Sequence, residues 1–238
     1  MIRSAAQTLT LLASLLLAGS LVSCDAAASA LEVLESAQGS AAEAPTDPSL
    51  AVDVAHALEQ LQGIPVKGRA PKTGYNRDEF GPAWADVDRN GCDTRNDILA
   101  RDLTNETFKP GTNNCVVTAG TLADMYTGAT INFTRGQDTS SDVQIDHIVP
   151  LSDAWQKGAQ QLSAGQRKEL ANDPLNLMAA DGPTNSAKGD KDAATWLPPN
   201  KAFRCQYVAR QTAVKATYKL WVTQAEHDAI VSILEGCR

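Results

Sequence analysis

Five cysteines in 238 residues constrain this chain more than any other feature. They stand at Cys24, Cys92, Cys115, Cys205 and Cys237, with no CxxC spacing among them, and the three histidines (His56, His147, His227) are scattered. The ligand pattern of a structural zinc site is therefore missing. The start of the chain supplies a compartment in which such cysteines oxidise. Arg3 gives a positive start, and Leu9 to Ala18 is an apolar run too short to span a bilayer, which reads as the core of an export signal. With Cys24 set aside, the remaining four make two bridges, and three connectivities are open. Cys92 with Cys115 and Cys205 with Cys237 close the shortest loops, and this is the pairing expected.

Leu21-Val22-Ser23-Cys24 resembles the lipobox of bacterial lipoproteins, which implies that the signal over 1–23 is removed and that Cys24 is acylated as the new first residue. An ordinary signal peptide cleaved near Ala26 to Ala30 is the alternative, and export follows from both. Residues 24–49 are rich in Ala, Ser, Glu and Pro, a composition that suits a flexible tether between a membrane and a domain over 50–238. The formal charge of −7 sits largely around that tether. From Cys24 to Val66 there are seven acids and no Lys or Arg, whereas Lys67 to Arg238 holds 20 basic and 21 acidic residues. A nearly neutral domain permits a nucleic-acid partner without predicting one.

Leu50, Val54, Leu58 and Leu61 recur at helical spacing after Ser49, a plausible cap, and Gly63 and Pro65 end the stripe. Lys67 to Asn90 reads as loop, and Asn96 to Asp102 opens a second helix. Val116-Val117, Ala129 to Phe133, Val143 to Val149 and Pro174 to Ala180 read as short strands, and Thr184 to Lys191 as a short helix after the Asp181-Gly182 turn. Lys201 to Leu220 and Gln224 to Leu234 read as closing helices, the second with Thr223 and Glu226 in capping-box positions. The fold class expected is α+β, in one domain and as a monomer.

Chemistry concentrates in QIDHIVP (144–150) and NDPLNLMAADGPTNSAKGDKD (172–192), which read strand, insertion, strand, turn, helix. Phosphodiester hydrolysis needs a base for water, a cation against the phosphate, and a group that fixes the base in its reactive tautomer. His147 is the histidine placed among other polar site candidates, and Asp146 is a hard oxygen ligand beside it. Strand neighbours point to opposite faces, so the two serve one site only where the chain leaves strand geometry. Pro150 fits a strand ending there.

Asp146-His147, Asn176, and Asn185 with Lys188 resemble the HNH endonuclease superfamily, whose core is a ββα-metal unit. DHIVP and NSAKGD are similar to the HNH domains of CRISPR effector nucleases and of GmrSD-type restriction enzymes. GRAPKTGY, GCDTRNDIL and DAATWLPP extend the likeness to secreted HNH-family proteins of bacteria. The resemblance implies a metal-dependent endonuclease on DNA, with RNA as an alternative, leaving 5′-phosphate and 3′-hydroxyl ends. It implies that His147 activates water, that Asp146 and Asn185 bind the ion, that Asn176 braces the loop and orients His147, and that Lys188 contacts phosphate. Asn185 stands where several relatives carry histidine, and an all-oxygen ligand set suits one Mg2+ or Mn2+ better than Zn2+. The stretch from Ser152 to Asp173 is longer than in a minimal HNH motif.

Asp86-Val87-Asp88-Arg89-Asn90-Gly91, with Asp97 at the twelfth position, follows half of an EF-hand loop, although an acidic Asn-Gly turn explains it as well. Arg69, Lys72, Arg77, Arg95 and Arg101 are candidates for a phosphate-facing edge. The competing reading of the whole chain is a non-catalytic surface lipoprotein that binds nucleic acid or calcium.

Overall fold

A computed structural model describes residues 53–237, so the export signal, the lipidation expected at Cys24, the tether and the Ser49 cap lie outside the described residues. The first helix of the described residues, α1 (Val54–Gln62), buries Ala57 and Leu61, and Gly63 follows its end. The segment after it is not free loop: Val66 bridges Val222, and the Trp221 indole donates to the Gly68 carbonyl at 3.0 Å.

Helix α2 (Thr94–Asp102) starts where the Asp93 carboxylate accepts the Asn96 amide at 2.9 Å. Three antiparallel strands follow in the order β1 (Leu103–Phe108), β2 (Val117–Ala123) and β3 (Thr130–Thr134). The first of these was not expected. Its apolar ends enclose Asn105 and Glu106, Asn105 takes φ 53°, and its pairing with β2 shifts register, so it carries little strand alternation. A separate two-stranded sheet pairs β4 (Val143–His147) with β5 (Leu177–Asp181) antiparallel, with Asp146 opposite Met178 and His147 opposite Leu177.

Between these two strands the long insertion forms α3 (Leu151–Gln156) and α4 (Ala164–Asn172), the latter opened by a reciprocal Ser163–Gln166 capping box. Helix α5 (Gly182–Lys188) leaves β5 directly, capped by Asp181, with Pro183 in its first turn. Gly182 is required there: a Cβ would lie 2.0 Å from the Ser141 carbonyl oxygen. Helices α6 (Arg204–Thr217) and α7 (Gln224–Glu235) complete the fold, with a 3-10 turn over Lys201–Phe203 in place of the helix start expected there. The fold is thus mixed α+β, with bridges Cys92–Cys115 and Cys205–Cys237 as expected.

Both faces of the β4–β5 sheet are covered. Val143, Ile145, Leu177 and Ala179 pack with α2 and the three-stranded sheet, while Met178 and Ala180 pack with Tyr126, Tyr207 and the α1, α6 and α7 helices. Beside that core lies a buried ionic network. Lys157 meets Asp153, Asp192 and Glu226 at 2.7–2.8 Å, Lys215 meets Glu226 at 2.6 Å and Asp153 at 3.4 Å, and Arg69 meets Asp153 and Asp192. Burial alone would raise the Asp192 carboxyl, but Lys157, Thr195 and Arg69 bring it down to about 2. Three acids face three cations, which is what allows charge of this density in an interior.

Candidate active site

At the end of β4 the alternation of strand side chains sends Asp146 and His147 to opposite faces, as a regular strand must. The chain bends straight after His147, where the Ile148 amide donates to the Asn176 carbonyl at 2.7 Å. Around this end Asp146, His147 and Asn185 line one cavity, together with Arg77, Tyr75, Ser152 and Asp190. The cavity encloses about 640 Å³, including its open mouth. Strand end, insertion and α5 therefore converge on one site without breaking the pleat of β4.

His147 is held by Nε2, 2.9 Å from the Ala171 carbonyl. A carbonyl only accepts, so Nε2 carries the proton and Nδ1 carries the lone pair. Burial, above all, lowers the imidazole from 6.5 to about 4; Arg77 and Lys188 also lower it, against the pull of the Ala171 carbonyl and Asp146. The ring is neutral at physiological pH. Trp84 lies across it, the two planes 15° apart with centroids 6.2 Å apart.

Asn176 is fully buried and braces this bend. Its Oδ1 accepts the Val149 amide at 2.8 Å, and its Nδ2 donates to the Leu170 carbonyl at 3.1 Å, tying the end of β4 to α4, the helix whose Ala171 anchors His147. Lys188 is equally buried. Its Nζ donates to both Asp146 oxygens, at 3.0 and 2.8 Å, and to the His147 carbonyl at 2.7 Å. All three ammonium donors are engaged inside the protein, so the phosphate contact expected of Lys188 gives way to a grip on the Asp146 carboxylate. Tyr126 donates to the same carboxylate from the opposite core. Burial and Asp146 raise its phenol well above 10, so it stays a donor.

A carboxylate offers about four lone-pair positions; Lys188 and Tyr126 use three of those on Asp146, leaving one. Asn185 donates its Nδ2 to Gln144 Oε1 at 2.9 Å, which leaves its amide oxygen without a hydrogen bond among the described residues. Two oxygen donors on one cavity fit a hard divalent ion that keeps most of its water and takes phosphate oxygens. They do not fit an all-protein cage, and among the described residues no group of three His, Cys, Asp or Glu could form one.

The cationic candidates divide. Arg77 lines the cavity, and Lys72 pairs at 3.3 Å with Asp190, which lines it. Arg69 is spent on Asp153 and Asp192, and Arg101 on Asp102 and the carbonyls of Pro174 and Leu177. Arg95 points its guanidinium toward the Ser140 and Val143 carbonyls at 3.5 Å. Asp86, Asp88, Asn90 and Asp97 are tied into hydrogen bonds with one another and with the loop amides. Residues not singled out in the sequence also reach the site: Tyr126, Trp84, Ser152 and Asp190. Asp190 takes the Ser152 hydroxyl at 3.0 Å, and that bond, with Lys72, holds its carboxyl below the usual range. Its only signal was its place in the NSAKGD string.

Comparisons with known proteins place the chain. Residues 93–233 match the family described as GmrSD restriction endonucleases, C-terminal domain. A protein of Arthroderma benhamiae (strain ATCC MYA-4681 / CBS 112371), described as an uncharacterized secreted protein, is 38% identical over 198 residues, covering 82% of this chain and 91% of that protein. No solved structure matches significantly. The matched segment contains both strands of the β4–β5 sheet, the insertion and α5, and the chain belongs to the family of GmrSD restriction endonuclease C-terminal domains, HNH-like in its site.

Proposed function

We propose that this protein is an exported endonuclease that hydrolyses phosphodiester bonds of DNA, and of RNA as a second substrate, with low sequence specificity and with one Mg2+ or Mn2+ ion. The observation that carries the reading is the fixed tautomer of His147: Nε2 is spent on the Ala171 carbonyl, so Nδ1 keeps the lone pair, in a side chain that lines one cavity with Asp146, Asn185 and Arg77. Membership of a restriction-endonuclease family supports a nucleic-acid substrate.

In this mechanism His147 Nδ1 takes a proton from the attacking water, its lone pair free because the ring is neutral at pH 7. Arg77 offers its guanidinium to the phosphate in the same cavity. Asn176 and the Ala171 carbonyl keep the imidazole from turning, while Lys188 and Tyr126 fix the Asp146 carboxylate. Asp146 and Asn185 would hold the ion, which supplies Lewis-acid stabilisation of the charge that develops on the phosphate.

The secreted description of the relative and the two disulfides support a place outside the cytoplasm. In our reading residues 1–23 are removed, Cys24 carries the lipid, 24–49 form the tether, and 50–238 fold as a monomeric nuclease domain.

The test is cleavage of plasmid and RNA with Mg2+, Mn2+, Ca2+ or EDTA, alongside metal binding by calorimetry. His147→Ala should lose cleavage by roughly a hundredfold to ten-thousandfold and keep metal binding, since it removes a base and no ligand. Asp146→Ala and Asn185→Ala should weaken metal binding, the first more severely because a carboxylate neutralises charge. If His147→Ala retained more than about a tenth of the activity, the base would be another group.

A further inference from the structure

We propose that a second cavity, meeting the first at Arg77, His147 and Leu151, is a nucleobase subsite that takes the base beside the scissile phosphate and favours bases bearing an amino group. The ligand class rests on the nuclease reading; the subsite itself rests on three observations. It is an open cleft, enclosing about 410 Å³ when the solvent at its mouth is included. Phe80, Pro82, Trp84 and Ala171 supply much of its wall, which suits a flat ring better than a phosphate. Because Arg77 and His147 border both cavities, a phosphate held in the first would have its own sugar and base within reach of the second.

Trp84 is built for presentation rather than packing alone. It is half-buried and takes φ 57°, a left-handed conformation that bulky residues rarely adopt. Thr94 holds that turn, its amide donating to the Trp84 carbonyl at 3.3 Å and its hydroxyl to the Ala85 carbonyl at 2.5 Å. Unusual backbone maintained by neighbouring bonds is typical of binding sites. A base stacked on this indole would lie nearly parallel to the His147 imidazole.

Asn172 supplies selectivity. It is 1% exposed, and its Nδ2 donates to the Lys168 carbonyl at 2.9 Å, but its Oδ1 is buried without any partner. An orphaned buried acceptor is costly unless a donor reaches it. Asn172 lines this cavity, and so does Asp78, a second acceptor. Adenine, cytosine and guanine carry amino donors on their edges, whereas thymine and uracil present carbonyls there.

Calorimetric titration of the intact protein with dAMP, dCMP and dTMP in EDTA reads binding without cleavage, since mononucleotides contain no internucleotide bond. We expect dAMP and dCMP to bind roughly tenfold tighter than dTMP, the effect of satisfying one buried acceptor. Trp84→Ala should weaken all three by roughly 5- to 100-fold, the usual weight of one base stacked on an aromatic ring, and Trp84→Phe should restore most of that. Asn172→Leu should erase the preference while dTMP binding persists. If Trp84→Ala fails to fold, the other two variants decide: the preference must survive Trp84→Phe and vanish in Asn172→Leu. Equal affinities for dAMP and dTMP, or a Trp84→Ala variant that folds and binds normally, overturn the subsite. Cleavage with indifferent nucleotide binding sinks the subsite and spares the nuclease; the expected binding pattern without cleavage of DNA or RNA does the reverse.

Discussion

Replacing Lys188 by methionine isolates the grip on Asp146, because methionine keeps much of the side chain's length and none of its charge. The ammonium makes three short contacts, two to Asp146 and one to the His147 carbonyl, and is wholly buried. Breaking a buried ion pair from one side typically costs about 3–5 kcal/mol. Asp146 keeps Tyr126 and borders an open cavity where water can reach it, so the lower figure, about 3 kcal/mol, applies. For a domain of this size that lowers Tm by roughly 6–12 °C. The same change frees two lone pairs on Asp146, so Mn2+ should stabilise Lys188→Met more than it stabilises the native protein. Urea unfolding of both proteins in EDTA and in Mn2+ measures each quantity. A variant within 1 kcal/mol of native in EDTA, or one that gains no more from Mn2+ than the native protein does, would refute the role given to Lys188.

Three further outcomes are expected. His147 titrates at about 4 in the folded chain and at 6.5 unfolded; the unfolded state alone takes a proton between those values, so this group stabilises the fold at neutral pH. That contribution, about 3 kcal/mol at most, is lost as pH falls from 6.5 to 4, and the difference between native and His147→Gln unfolding at pH 7 and pH 4.5 measures it; identical pH slopes would contradict it. Gly182→Ala forces a Cβ against the Ser141 carbonyl oxygen and should cost at least about 2 kcal/mol in urea unfolding, so an unchanged midpoint would show that the turn relaxes freely. Cys24→Ser should move the protein out of the membrane fraction, and a mature N-terminus found elsewhere by mass spectrometry would remove the lipid anchor.

What could be read from the sequence was local or periodic. Loop length alone pointed to both disulfide pairings, and apolar runs bounded by turns marked β4, β5 and the closing helices. The order Asp146-His147, Asn176, Asn185 was legible because one short ββα unit carries all of it. Burial was not legible. Lys157 and Lys215 stand in no motif that marks them, and Lys188 was expected against phosphate, yet each is fully buried against carboxylates: Lys188 on Asp146, Lys157 on Asp153, Asp192 and Glu226, and Lys215 on Glu226 and Asp153. Tyr126 and Trp84 come from loops outside the motif, and nothing in their surroundings marks a phenol aimed at Asp146 or an indole laid over His147. Strand β1 escaped for another reason: its register shift removes the alternation by which strands are recognised.

The ionic network makes residues far apart in the chain mutually indispensable. Glu226 on α7 touches Lys157 and Lys215, and Arg69, well ahead of the family match that begins at residue 93, touches Asp153 and Asp192. A fragment cut to the matched segment would retain the three acids and both lysines but forfeit one cation, stranding an uncompensated carboxylate in the interior. The family match therefore does not mark where the folding unit starts. Any truncation meant to yield a working domain has to begin upstream of Arg69, early enough to keep Val66 against Val222 and Gly68 against Trp221.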